Sequence, residues 1–180
     1  MERFAVESAP AILKFTGFCD MTLDRTDMRI LRHLERDGRI SNQDLANAVA
    51  LSPSACLRRV KLLEERGAIS GYRCTIEPKK VGIAFEALVH VSMRPDVPEW
   101  HDRFVEALQQ WPEVVAAQIV TGGSNYVLTV RARDLDHYSD FVINHLHRAT
   151  GVMSINSSIV LATLKRDGSL LDLVDQSTAG

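Results

Sequence analysis

The residues of this chain whose types and spacing can do chemistry fall in two short stretches. The first is SPSACLRRVK, in which Ser52, Ser54 and Ala55 are followed by the cations Arg58, Arg59 and Lys61. An arginine carries a planar fork of donors that fits a guanine edge or a phosphate in two places, whereas a lysine is a point charge suited to phosphate. Small polar residues ahead of such cations suit a helix whose positive end meets a polyanion. The second stretch is Gly122-Gly123-Ser124-Asn125-Tyr126. On the residues alone it is a hairpin turn in which glycine and asparagine supply positive φ. Neither stretch is catalytic in type. Gly122-Gly123-Ser124 is neither a G-x-S-x-G elbow nor a phosphate-binding loop. His137, His145 and His147 share a helical region, but their spacing puts no two on one face with a carboxylate in a metal pattern. They read as exposed structural histidines, and no enzyme activity, metal or cofactor is expected.

The first stretch needs two helices to position it. Ser41 is a good N-cap, and Asp44 three residues on can reach back to it. Leu45, Ala46 and Val49 then form one apolar stripe. Ala50 and Leu51 leave room only for a turn. Ser52 caps again, with Pro53 at the first helical position, where its missing N–H costs nothing. Cys56, Leu57, Val60 and Leu63 mark the buried stripe of the second helix, and Gly67 stops it. Ser54, Ala55, Arg58, Arg59, Lys61 and Leu62 lie largely off that stripe. This is the pattern of a helix-turn-helix that lays its second helix in the major groove; an αα-hairpin with a solvated basic face is the plainer alternative.

A further helix precedes this pair. Asp24 caps it, Asp27 lies in its first turn, Ile30, Leu31 and Leu34 face inward, and Gly38 ends it. Arg29, Arg32 and Arg36 lie outside, mainly as a solvated face. After Gly67, Ile69, a Ser-Gly turn and the alternation of Tyr72, Cys74 and Ile76 with Arg73 and Thr75 predict a short hairpin, the wing of a winged helix. Within this unit, Ser52, Ser54, Ala55, Arg58 and Arg59 are placed to meet base edges. Ser41, Asn42, Gln43, Lys61 and Arg73 are placed to grip phosphate.

Charge divides the chain in the same way. Residues 22–80 hold 12 Lys/Arg against 8 Asp/Glu, residues 81–180 hold 7 against 12, and residues 1–21 hold 2 against 3. The sum is the net −2 of the whole chain. A basic segment followed by an acidic one points to two modules with different partners. Three cysteines without metal spacing fit a reducing compartment and no disulfide framework. No apolar run approaches the roughly 20 residues needed to span a bilayer. Residues 1–21 carry no capping or periodic signal and make a poor secretory leader. The preferred reading is that translation starts at Met21 and that residues 1–20 are an over-extension; a genuine arm is the alternative. Either way they are expected to form no fixed structure.

The second half changes period. Phe85 to Met93 alternates, with Phe85, Ala87, Val89, Val91 and Met93 on one face. Pro95 and Pro98 break it. Trp100, Phe104, Val105 and Leu108 then recur at helical spacing up to Trp111-Pro112. Val114–Val120 and Tyr126–Ala132 read as strands, Asp134 caps another helix, and Val152–Leu164 reads as a long last strand. The order β-α-β-β-α-β is the split βαβ, or ferredoxin-like, arrangement. Two helices cover one face of such a sheet, so the other face is expected to pair with a second subunit. The expected division is an extension over 1–21, a winged helix-turn-helix over 22–80, a linker over 81–84, an effector and oligomerisation domain over 85–166, and a fraying tail over 167–180. The class is α+β.

These stretches together resemble the Lrp/AsnC, or feast/famine, family of transcriptional regulators. LDRTDMRILRHLERDGRIS is similar to the family's opening helix, LANAVALSPSACLRRVKLLEERGAISGY to its recognition helix and wing, and PEVVAAQIVTGGSNYVLTV with GVMSINSSIVLATLK to strands of its amino-acid-sensing, RAM-type half. The resemblance covers about residues 22–166. It implies a sequence-specific, nucleoid-associated regulator in the cytoplasm that binds double-stranded DNA. It implies a homodimer through the second domain, often assembled further into octamers, and a small effector, usually an amino acid, held between subunits near Gly122, Gly123, Ser124, Asn125 and Tyr126. Ser157 and Ser158 on the last strand are further candidate effector contacts. Asn125 departs from the family pattern, which often has aspartate there, and Gly123 occupies a position that is often acidic. A carboxylate would pair an ammonium group with a charge-assisted bond that asparagine cannot make. A DNA-organising or metabolite-sensing protein without one dedicated operator is the second reading of the same features.

Overall fold

A computed structural model of the protein describes residues 23–94, 99–166 and 168–177. The expectations for residues 1–21 and for the Pro95–Pro98 break fall outside them. The chain divides into two compact units at Arg73/Cys74, and Ser169 onward rejoins the first.

The first unit is built on three helices: α1 (Arg25–Arg36), α2 (Asn42–Val49) and α3 (Pro53–Glu65). Each starts where a side-chain oxygen can take an orphan amide. The Asp24 carboxylate accepts from the Thr26 and Asp27 amides while Asp27 reaches back to the Asp24 amide, a complete capping box. Ser41 accepts from the Asp44 amide, and Ser52 from that of Ala55. Between α2 and α3 the chain turns at Ala50, whose φ of 57° is left-handed. That conformation frees the Leu51 amide to bond Ala46 and aims the chain into α3. Ile30, Leu45, Ala46, Val49, Cys56 and Leu63 form the core.

Two expectations for this unit fail. Residues 69–77 form no strand, so there is no hairpin wing among the described residues. Tyr72 and Ile76, which should face inward in a wing, are 50% and 60% exposed. Alternation alone makes no strand without a partner to pair with. Instead, the Tyr72 hydroxyl donates to Glu64 on α3 at 3.0 Å and its ring lies beside Gly38. The tail also does more than fray. The Leu170 amide and the Ser169 hydroxyl bond Glu35 on α1, and α6 (Leu171–Ser177) follows.

The second unit opens with a 3₁₀ turn at Pro78–Val81 and continues β1 (Phe85–Met93), α4 (Trp100–Gln110), β2 (Val114–Ile119), β3 (Tyr126–Ala132), α5 (Leu135–Phe141) and β4 (Val152–Ile159). Residues 142–146 continue α5 as one π-helical turn. The strands form one antiparallel sheet in the order β2-β3-β1-β4. β4 ends at Ile159, short of the expected Leu164, and Leu161 and Leu164 beyond it are almost fully exposed. One face of the sheet carries Ala87, Val89, Val91, Leu128 and Val130, packed with Phe104, Phe141 and Leu146 from the helices. The other face presents Leu88 and His90 with their register partners Thr129, Ser158, Val127 and Asn156. No helix among the described residues is long and apolar enough to cross a membrane.

Candidate nucleic-acid interface and effector loop

α3 presents its outward side as one stripe. Ser54, Leu57, Arg58, Lys61, Leu62 and Glu65, together with Arg59, line a shallow groove of about 700 Å³. Their spacing of three and four residues is that of a single helix face. The buried side belongs to Cys56 and Leu63, with Val60 half-buried. Leu57, assigned from its neighbours to the buried stripe, is 45% exposed. Helical geometry explains the error, because residues 56 and 57 point about 100° apart. Burial in the first core pushes the Cys56 thiol above its ordinary pKa, which suits an inert core residue.

Arg59 leaves the set placed at base edges. Its guanidinium donates from one nitrogen to Asp24 and to Asp27, at 2.7 Å each. It therefore ties the capping box of α1 to α3 and is committed to that ion pair. The two carboxylates raise its pKa further above the ordinary arginine value. The Asp24 carboxyl is held below its usual 3.8, first by the Asp27 amide and also by Arg59, against the opposing effect of burial. A depressed carboxyl contributes stability that is present above the unfolded value and is lost as pH falls through the folded one. Arg59→Met should thus lower the melting temperature of this unit by several degrees, for a loss of about 1 kcal/mol in a small domain. It should also blunt the unit's loss of stability below about pH 4. Melting curves from pH 3 to 7 check both effects.

Four other expected DNA contacts have structural work as well. Ser41 and Ser52 cap α2 and α3, and the Ser41 hydroxyl also donates to Asp44. The Asn42 amide donates to the Pro53 carbonyl at 2.9 Å and so pins the two helix starts together. Ala55 is half-buried. Arg29, read as solvated, donates to the Ala48 carbonyl and holds the end of α2. Ser54, Arg58, Lys61, Gln43 and Arg73 are exposed.

In the second unit the Gly122–Asn125 loop joins β2 to β3 and is pinned across the end of β1. The Asn125 amide donates to the Val91 carbonyl, and its side-chain oxygen accepts from the Met93 amide at 2.7 Å. The Ser92 hydroxyl donates to the Gly123 carbonyl. Gly122 has φ +117° with open space around it, so the turn needs glycine there. Tyr126 is not part of the exposed loop. Its ring is buried against Phe104 and its hydroxyl pairs with His101. Burial, helped by the Asp102 carboxylate, pushes that hydroxyl up to about 12.

Ser157 and Ser158 do not act together. Ser157 pairs with buried Val89 and takes the Tyr138 hydroxyl on the helix side, whereas Ser158 pairs with Leu88 on the open face. On the other side of β1, Ser92 is paired in register with Ser154 of β4. Sequence reasoning did not single out Ser92 and Ser154, because only strand register sets them side by side.

The comparisons with known proteins follow the same two units. A profile described as winged helix-turn-helix DNA-binding matches residues 23–70, and one described as the Lrp/AsnC ligand binding domain matches residues 86–170. The transcriptional regulator AzlB of Bacillus subtilis is 37% identical over 148 residues, covering 82% of this chain and 94% of that protein. This chain belongs to the Lrp/AsnC family. The leucine-responsive regulatory protein of Escherichia coli K12 is 33% identical over 149 residues, 83% of this chain and 91% of that one. A crystal structure of a Neisseria meningitidis transcriptional regulator in complex with L-methionine superposes with a TM-score of 0.78 at 37% identity, over 81% of this chain and 94% of that one. As a member of the Lrp/AsnC family the chain is a DNA-binding transcriptional regulator and not an enzyme.

Proposed function

We propose that this regulator works in the cytoplasm as a homodimer that sets two α3 helices in successive major grooves, with its output tuned by an amino acid. The outward stripe of α3 carries the reading: Ser54, Arg58 and Lys61 stand exposed on one helix face. Ser54 and Arg58 meet base edges. Lys61, Gln43 and Arg73 meet phosphate, and Ser41, Asn42 and Ser52 hold the helix starts and lend polar atoms to the backbone. One small module binds modestly, and a second half-site about 34 Å away supplies the remaining affinity. The open face of the sheet is the dimer surface, and octamers are the larger assembly.

The effector site centres on Gly122, Gly123, Ser124 and Asn125, with Ser92 and Ser154 beside them and Ser158 further along the open face. L-methionine in the Neisseria regulator makes an amino acid the first class to test. Asn125 spends its side-chain oxygen on the Met93 amide, so its NH₂ is the group left to face an effector. A thermal-shift screen of the twenty amino acids should raise the melting temperature for a small hydrophobic one. A ligand at 100 times its dissociation constant adds about 2.7 kcal/mol. Asn125→Asp keeps the acceptor for Met93 and adds a charge for an ammonium group, so the shift should grow. Asn125→Ala should abolish it. A screen in which no amino acid shifts either the parent or the aspartate variant overturns the effector assignment.

A further inference from the structure

The exposed leucine on α3 is not accounted for by phosphate or guanine contacts. Leu57 is 45% exposed in the first half of the helix, one turn after Ser54 and one turn before Lys61, with Arg58 beside it. Leu62 follows on the same face at 39% exposure. A single exposed leucine is ordinary on a protein surface. This one lies in the groove lined by Arg58 and Lys61, and the other local cation, Arg59, is neutralised by Asp24 and Asp27. A face of this kind complements a polyanion that also offers an apolar group. In the major groove of DNA that group is the C5-methyl of thymine, the one apolar feature among the base edges. Ala55, the small apolar residue placed at base edges from sequence, is half-buried and carries the capped amide. Leu57 extends from the outward stripe where Ala55 does not.

We infer that Leu57 is a specificity-determining residue that packs against a thymine methyl in each half-site, beside the base contact made by Arg58. The assignment rests on the DNA-reading role of α3. Arg58 sets the position of a guanine, and Leu57 sets the position of a thymine next to it. Losing one methyl contact corresponds to about a fourfold loss of affinity.

The test uses the full chain and a duplex selected by it from a random pool. Each thymidine of the selected site is replaced in turn by 2′-deoxyuridine, which lacks only the methyl. For the parent protein, one position per half-site should lose about fourfold in affinity. For Leu57→Ala the same replacement should be silent, while Lys61→Ala should stay sensitive to it. Binding to random duplex should be equal for the parent and Leu57→Ala, and their melting temperatures should agree because the residue is exposed. If the parent is indifferent to uracil at every position yet binds its selected site, the methyl contact is wrong and the DNA-reading role of α3 stands. If Leu57→Ala instead changes the sedimentation of the assembly, the leucine belongs to a contact between proteins and the assignment falls. If no duplex is enriched or bound, the reading on which the inference rests falls as well.

Discussion

Arg58→Ala should weaken binding to a selected operator by about 10- to 100-fold while changing binding to random DNA far less. Arg58 is exposed on the outward stripe of α3, and among the described residues no carboxylate pairs with it, whereas the adjacent Arg59 is held by two. A bidentate arginine–guanine pair discriminates by about 1–3 kcal/mol, and that discrimination is lost with the guanidinium. Lys61 stands one turn on and serves as the contrast. Lys61→Ala should weaken all duplexes alike and flatten the salt dependence by about one unit of slope. Gel shifts at fixed salt on selected and random duplexes separate the two residues. Equal losses on both duplexes for Arg58→Ala would move it to the phosphate group.

The second large effect concerns the effector unit. Phe104 is fully buried on α4 and sits 4.8 Å from Tyr126 and 6.0 Å from Trp111, which in turn meets Phe141 edge-on at 5.5 Å. These rings join both helices of the unit to β3. Phe104→Ala removes the centre of that cluster and leaves a cavity, at a cost of about 3–5 kcal/mol. For a unit of this size the melting temperature should fall by roughly 15 °C or more. Calorimetry should show the loss in the transition of the second unit and leave that of the helix-turn-helix unit in place. A fall of only a few degrees would mean that the pocket closes around the missing ring.

Much of this was legible in the sequence because the decisive signals are local. Asp24, Ser41 and Ser52 announce three helix starts, and Pro53 fixes the third. Alternation from Phe85 to Met93 and again through β3 gives the buried face of the sheet residue by residue. The failures come from distance and from partners. Arg59 looks like a groove-facing cation until its carboxylates are found 32 and 35 residues away. Tyr72, Cys74 and Ile76 alternate like a strand, but no second strand among the described residues pairs with them. Leu57 sits next to Cys56 in sequence and a third of a turn away in space, so an apolar run conceals an exposed reader. Ser157 and Ser158 are adjacent in sequence and face opposite sides of the sheet. Asn125 reads as a departure from a ligand carboxylate, yet its oxygen supports the loop by holding the Met93 amide, a role an aspartate oxygen can fill equally.

In the proposed function two α3 helices of one dimer read DNA together. Selection of the full chain against a pool of random duplexes tests it most directly. The expected result is enrichment of a site with two related half-sites whose centres lie about 10 base pairs, or a small multiple of that, apart. A pool that stays random, or that converges on one isolated half-site, would contradict it.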